Sequence, residues 1–535
     1  MGGVICAPQP LAVEEGAKVL AAGGNAFDAA MTAAAVQFLI DPHSCGMGGY
    51  LVMTARSSDG TMQIVDAPAL AGQRTSPTMW EDIVIGPNPD GWGFFLEGKV
   101  NEDGYESICI PGMVRGMESI HKQYCSRSWA EILEPSIRIA REGWTVTAQM
   151  ANRWKDPPHF YESSTLRQKL DVTPETQRIY LDENGNPADI GHTLRNPDYG
   201  DSLELLANEG PDTFYTGTLS EKIIADLEQN KAYVTADDLA NYQSRIEEPV
   251  TISYRGYEIV TNQPPHGGPT LAQMFRILEG FDPTSHSFNG ADYIKLLAQV
   301  MRAAFCDRNM HLADPAEQEV PLDWMLSDER TQHWQNQIRE GAQIDTARMS
   351  HETPDTTHVS VMDDEGNCAS LTHSLGSSSG VITPGLGFMY NNSMVNFYPL
   401  TGHVNSIAPG KGRTTGMTPV IVLKDGQPVL TIGAPGATRI ITSIFQVIVN
   451  FLDWKMSIAE AVLAPRMDCQ GEQIKCHARI PEYVCEEVRK SYPCERISRS
   501  HGGFALVHAV AKDPVTGAFS GGADSGLDGM ALVVE

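Results

Sequence analysis

A polar, aromatic-free segment, Gln337 to Asp355, divides this 535-residue sequence into two parts of different character, and a fold has to accommodate both. The segment has neither helical nor strand periodicity, so it reads as exposed and as the best break in the chain. Before it, Val13–Ala22 and Phe27–Ile40 pattern as helices, and Tyr50–Ala55 alternates like a strand. Residues 129–238 then read as mostly helical, with a capping box at Thr235 to Asp238. After the break the pattern turns to β. His358–Met362 and Cys368–Leu375 alternate around an Asp-Asp-Glu-Gly-Asn turn, and Pro419–Leu423 and Pro428–Ile432 form a second hairpin pattern. Apolar helices follow at Thr438–Leu452 and after a capping box at Ser457 to Glu460.

The length exceeds what one ordinary core organises, which implies two coupled domains or one large α/β sandwich, and 41% hydrophobic residues are enough to fill it. Lys and Arg total 39 against 67 Asp and Glu, a formal charge of -28 that disfavours nucleic acid and anionic membranes as partners. The most apolar windows, Ala29–Ile40 and Ile440–Leu452, are too short or too interrupted to span a bilayer. The opening residues lack the pattern of a signal peptide, so the chain reads as cytoplasmic or as the trimmed form of a secreted protein.

Several familiar chemistries fail on context. Gly376-Ser377-Ser378-Ser379-Gly380 matches G-x-S-x-G, but a strand and turn follow where a nucleophile elbow needs a helix. Gly46-Met47-Gly48-Gly49 lacks the lysine of a P-loop and the spacing of a dinucleotide fingerprint, so no nucleotide cofactor is expected. Cys469, Cys476, Cys485 and Cys494 crowd together beside His477, yet none form the closely spaced pairs of structural zinc sites, and no metal is expected. Asp355-Thr356-Thr357-His358 places a hydroxyl at the start of a strand directly after the polar segment. Taken alone, threonine there is explained by β-propensity.

An ordered set of motifs gives that junction meaning. Gly23 to Ala30, the Pro42 to Gly49 loop, Pro111 to Val114, Gly210 to Gly217, Asp237 to Tyr242 and Tyr254 to Tyr257 resemble successive motifs of the γ-glutamyltranspeptidase family. So do Thr356-Thr357-His358, Pro435 to Ile441 and Ala464 to Arg466, over about residues 2 to 530. The resemblance implies an α/β (α+β) fold, the four-layer αββα sandwich of N-terminal-nucleophile hydrolases. It implies a precursor cut between Asp355 and Thr356 into 1–355 and 356–535, two fragments that form one sandwich as a heterodimer; higher oligomers are left open. Thr356 then supplies both nucleophile and base, because a free α-amine titrates at about 7.7 to 8.0. Ser374 aligns with the family's hydroxyl beside the nucleophile, and the N–H groups of Gly436 and Ala437 align with its Gly-Gly oxyanion hole. No cofactor is implied.

The resemblance breaks at the residues that hold a γ-glutamyl head. The family's arginine has no counterpart in Ile64 to Ala69, with Arg74 only a distant substitute. Its serine pair is Thr415-Gly416, its acid is Asn396, Ser393 replaces a glutamine, and Gly376 replaces an asparagine. Losing the guanidinium and the acid removes charge-assisted hydrogen bonds. The expected function is therefore an autoprocessing N-terminal-threonine amidohydrolase or acylase, acting on a small amide whose acyl part is neutral or carries only a carboxylate. The alternatives are a γ-glutamyltransferase or glutathione hydrolase with a rearranged clamp, and a catalytically silent binding relative.

Overall fold

The computed structural model describes residues 2–88, 93–157, 163–346, 355–498, 503–526 and 528–535. Thirteen strands build its two main sheets: β1 (Gly3–Ala7), β2 (Tyr50–Arg56), β3 (Met62–Ala67), β4 (Arg245–Glu247), β5 (Val250–Tyr254), β6 (Tyr257–Thr261), β7 (Thr357–Asp363), β8 (Cys368–Ser374), β9 (Val420–Lys424), β10 (Gln427–Gly433), β11 (His508–Lys512), β12 (Phe519–Ala523) and β13 (Met530–Val534). The first sheet runs β13-β1-β7-β8-β2-β3-β4 and the second β12-β11-β10-β9-β6-β5. Every neighbouring pair in both is antiparallel.

Helices cover the outer face of each sheet. On the first lie α1 (Pro10–Ala21), α2 (Ala26–Ile40) and α3 (Met113–Tyr124), with α4 (Trp129–Glu142) and α5 (Pro197–Glu209) packed outside them. Helix α2 starts where Asn25 accepts from the N–H groups of Phe27 and Asp28 while the Asp28 carboxylate caps the Asn25 N–H. It is apolar almost all round because it is enclosed by α1, α4 and the sheet. Gly16 lets α1 approach: a Cβ there would sit 2.4 Å from Ile5 Cδ1 and 3.0 Å from the Ala29 carbonyl oxygen. On the second sheet lie α6 (Gly268–Leu278), α8 (Arg439–Leu452) and α9 (Ile458–Leu463), with α7 (Ala291–His311) against α6. The layer order is αββα.

The two outer cores are apolar, whereas the seam between the sheets mixes Val4, Cys6, Met362 and Ile421 with hydroxyls and imidazoles. His358 bonds Thr372 Oγ1 at 2.9 Å and Ser360 Oγ at 2.8 Å, Ser370 donates to the Ile432 carbonyl at 2.9 Å, and Thr54 to the Pro419 carbonyl at 2.8 Å. Burial holds the His358 pKa well below its usual value, so it is a neutral structural imidazole. The polar seam ends at the candidate site.

Both expected hairpins form, and the two capping boxes are present. The polar stretch Gln337 to Asp355 differs from the expected exposed, aperiodic segment at both ends. A helix, Asp328–Arg339, continues into it because Trp334 and Ile338 give that polar sequence one apolar edge. At the other end Asp355 is buried. Residues 347–354, the middle of the expected exposed stretch, lie outside the described residues. Among the described residues no helix is long and apolar enough to cross a membrane.

Candidate active site

Hairpin register creates the centre of the site. Thr357 pairs with His373 across β7 and β8, so Thr356 falls opposite Ser374, where cross-strand side chains meet. Thr356 Oγ1 lies 3.0 Å from Ser374 Oγ. Ser374 donates to the Asp355 carbonyl oxygen at 2.8 Å and accepts from the Gly376 N–H at 2.8 Å. Its single proton is committed to that carbonyl, so the hydroxyl proton of Thr356 points to Ser374. Gly376 is at φ +78°, a left-handed conformation that suits glycine.

The neighbouring threonine is turned the other way. Thr357 Oγ1 accepts from Gln37 Nε2 at 2.9 Å on the helix side of the sheet. The Gln37 amide oxygen in turn bonds His373 Nε2 at 2.8 Å. Burial pushes the His373 pKa down to about 3, so the neutral ring donates there. Thr357 is thereby excluded from the cluster that holds Thr356.

Asp355 is held by a residue the sequence reading did not single out. Arg153 reaches its carboxylate at 2.5 Å and also bonds Asp41 at 2.5 Å and Ser44 at 3.0 Å. Burial raises the Asp41 pKa, with Arg153 opposing it. Burial and then Arg153 push His43 down to about 3, and this neutral ring accepts from Trp154 Nε1 at 3.1 Å. Asp41, His43, Arg153 and Trp154 border a cavity of about 430 Å³ also lined by Gln9, Trp144 and Met150.

Gly436 and Ala437 lie just before α8, and their N–H groups engage no partner among the described residues. They stand at the positive end of the helix dipole, where an oxyanion is favoured. Ala437 adopts φ +55°, a left-handed backbone angle that L side chains tolerate at a cost. Gly416 lies against it, since a Cβ on Gly416 would be 2.2 Å from the Ala437 carbonyl oxygen. No serine fits there.

The remaining sequence-derived positions gather beside Gly416. Thr415 Oγ1 is 2.8 Å from His266 Nδ1, and His266 Nε2 is 2.9 Å from Asp66 Oδ1. The Asn396 carbonyl accepts from Asn405, whose side-chain oxygen accepts from the Thr414 N–H at 3.1 Å. Ser393 is fully buried, with its Oγ unbonded among the described residues. Arg74 is far from this role: it is half exposed and pairs with Glu228 at 3.3 Å. Spacing argued against a ligand set among the late cysteines, yet the fold draws the sulfurs of Cys476, Cys485 and Cys494 to within 4.8 Å of one another. Cys469 is occupied elsewhere, by Arg302 and the Gly471 carbonyl.

The gamma-glutamyltranspeptidase family profile matches residues 12–534. The chain belongs to the gamma-glutamyltranspeptidase family. Among its relatives is the acylase ACY 1 proenzyme of Pseudomonas sp. strain SE83, 34% identical over 100% of this chain and 94% of that protein. The glutathione hydrolase proenzyme of Escherichia coli K12 is 29% identical over 88% of this chain and 81% of that protein. The structure of cephalosporin acylase from Bacillus halodurans superposes with a TM-score of 0.85 at 24% identity, over 99% of this chain and 95% of that one. The sandwich is thus that of the N-terminal-nucleophile hydrolases. As a member of the gamma-glutamyltranspeptidase family, the chain is an enzyme of the amide-bond hydrolase and acyltransferase class.

Proposed function

We propose that this chain cuts itself between Asp355 and Thr356, and that the freed Thr356 cleaves small amides whose acyl part lacks an α-ammonium. The carrying observation is the contact set of Ser374, which bonds both the Thr356 hydroxyl and the carbonyl that hydroxyl would attack. In the uncut chain Thr356 Oγ1 adds to the Asp355 carbonyl carbon while Ser374 polarises its oxygen. The Asp355–Thr356 C–N bond then breaks as the proton released from Oγ1 passes to the nitrogen, leaving an ester and a free amine, and water hydrolyses the ester to the Asp355 carboxylate and the Thr356 hydroxyl.

In turnover the Thr356 amine takes the Oγ1 proton and the oxygen attacks the substrate carbonyl. Gly436 and Ala437 N–H groups stabilise the oxyanion. The leaving amine collects the proton, and water releases the acyl group. Fragments 1–355 and 356–535 stay together because strands from both alternate within one sheet.

The substrate reading rests on charge. The aligned acid is the neutral Asn396, Gly416 has no side chain, and Arg74 is engaged at the surface. Each lost charged hydrogen bond is worth about 1.5 to 3 kcal/mol. The missing ammonium partner alone then amounts to roughly one to two orders of magnitude. The test has two parts. N-terminal sequencing of the smaller fragment should read Thr-Thr-His-Val-Ser, and kcat/KM should be higher for a glutaryl anilide than for the γ-glutamyl anilide, which differs by the ammonium. A clear preference for the γ-glutamyl compound would overturn the substrate reading.

A further inference from the structure

Arg413 is a buried cation with no carboxylate paired to it among the described residues. It is 4% exposed, its guanidinium lies 4.4 Å over the Tyr50 ring, and its hydrogen bond among the described residues is a 3.3 Å contact from Nη1 to the adjacent Thr414 carbonyl. Its Nε is buried and unbonded, and no ion pair among the described residues includes it. Other buried arginines have stronger partners, although Nε of Arg56 and of Arg466 is unbonded too: Arg153 pairs with Asp41 and Asp355, Arg466 with Asp524, and Arg56 donates to the Gly366 and Gly426 carbonyls. Burying an arginine in this state is costly unless something else completes it.

Its position says what that is. Tyr50 pairs with Ser374 across β2 and β8, so the stacked guanidinium shares a face of the sheet with Ser374 and Thr356. Arg413 also directly precedes Thr414 and Thr415, which are tied to Asn405 and His266. Stacking on an aromatic ring leaves the in-plane N–H fork open, the geometry that takes a carboxylate in bidentate fashion.

Resting on the reading of Thr356 above, we propose that Arg413 anchors a free carboxylate at the far end of the acyl group, so that the substrates are half-amides of short dicarboxylic acids. This arginine comes from the segment preceding Thr415, not from the β3 strand where the family's arginine is expected.

Two substrate pairs read the carboxylate alone: glutaryl against valeryl anilide, and γ-glutamyl against 4-aminobutyryl anilide. In the wild type, kcat/KM should favour the carboxylate-bearing member of the better-used pair by on the order of 10²-fold. Arg413→Met should bring that ratio near one, Arg413→Lys should leave an intermediate ratio, and glutarate should raise the Tm of the wild type but not of Arg413→Met. A ratio that survives in Arg413→Met, or an equal loss on both members of a pair, would overturn the proposal. A wild type that prefers γ-glutamyl over glutaryl would overturn the earlier substrate reading instead, and the second pair would still judge Arg413.

A separate observation supports a second site. Cys476 and Cys494 have sulfurs 3.7 Å apart, and Cys485 Sγ lies within 4.8 Å of both. They arrive from three elements: the strand Ile474–Cys476, the strand Cys494–Arg496 parallel to it, and the helix Glu482–Arg489. Zinc–sulfur bonds of 2.3 Å in a tetrahedron set sulfurs about 3.8 Å apart, so a small contraction closes the cage. We infer a three-thiolate site for a thiophilic cation such as Zn²⁺, with its open side at the part-exposed Cys494.

Reduced protein equilibrated with zinc and desalted should retain one zinc per chain by elemental analysis. Cys485→Ser should retain less than a tenth of that. Equal retention by the variant, no retention by the wild type, or a Cys476–Cys494 disulfide in freshly isolated protein would overturn the inference.

Discussion

Replacing Ser374 by alanine removes one oxygen that serves three partners: the Thr356 hydroxyl at 3.0 Å, the Asp355 carbonyl at 2.8 Å and the Gly376 N–H at 2.8 Å. Two consequences separate. For stability, the buried Gly376 N–H and Asp355 carbonyl lose a partner, a cost of about 1 to 3 kcal/mol. For self-cleavage, the lost donor is the one aimed at the oxygen on which negative charge develops, and removal of such a donor slows chemistry by roughly 10² to 10³. The assay is a time course of intact mass on freshly refolded chain, read as the conversion of uncut protein into fragments 1–355 and 356–535. Urea unfolding of the same samples supplies the stability change independently. Ser374→Thr, which keeps the oxygen, should cleave within about tenfold of the wild type. If Ser374→Ala cleaves within a few-fold of the wild type while unfolding earlier in urea, the hydroxyl is only a structural partner and the polarisation argument fails.

Thr356→Ala should leave an uncut, inactive chain, whereas Thr357→Ala, which gives up the bond from Gln37, should still cut before residue 356; mass spectrometry of the fragments distinguishes them. Ala437→Gly relieves a φ of +55° while keeping the N–H donor, so stability should rise by about 0.5 to 1 kcal/mol in urea with turnover preserved. Gly436→Ala should fail on both counts, because its Cβ would lie 2.6 Å from Ala505 Cα. Glu247 is pushed up to about 7 by burial and then by Asp66, so the native state holds a proton that the unfolded chain releases near 4.5. Its contribution is therefore full at low pH and lost as pH rises through about 7. Relative to wild type, Glu247→Gln should gain stability between pH 5 and pH 8, measured by thermal unfolding in the uncut Thr356→Ala background.

What could be read in the sequence were features carried by short-range pattern. The two hairpins and the capping boxes at Thr235 and Ser457 follow from such patterns, whereas it is the family resemblance that sets Ser374 beside Thr356, and the hairpin register puts the two opposite each other. Asp355 looked exposed because the residues before it are polar, but its burial depends on Arg153, about two hundred positions away. Asp66, His266 and Arg413 carry no motif of their own; topology alone brings them to the Thr415 and Tyr50 segments. The cysteine cluster escaped for the same reason, since strand pairing between residues 474 and 494 replaces the tight turn that a spacing rule looks for.

The first sheet places β13 beside β1, with Val534 opposite Gly3, so the two ends of the chain are neighbours. Gene order is therefore negotiable. A short glycine-serine connector from Glu535 to Gly2 would let the coding sequence be opened at the other end of the molecule, beginning at Thr356 and ending at Asp355. Such a circular permutant would display the threonine amine once its initiator methionine is trimmed, with no internal bond to break. Maturation and turnover, which share the Thr356 hydroxyl in the proposed mechanism, would then become separately mutable.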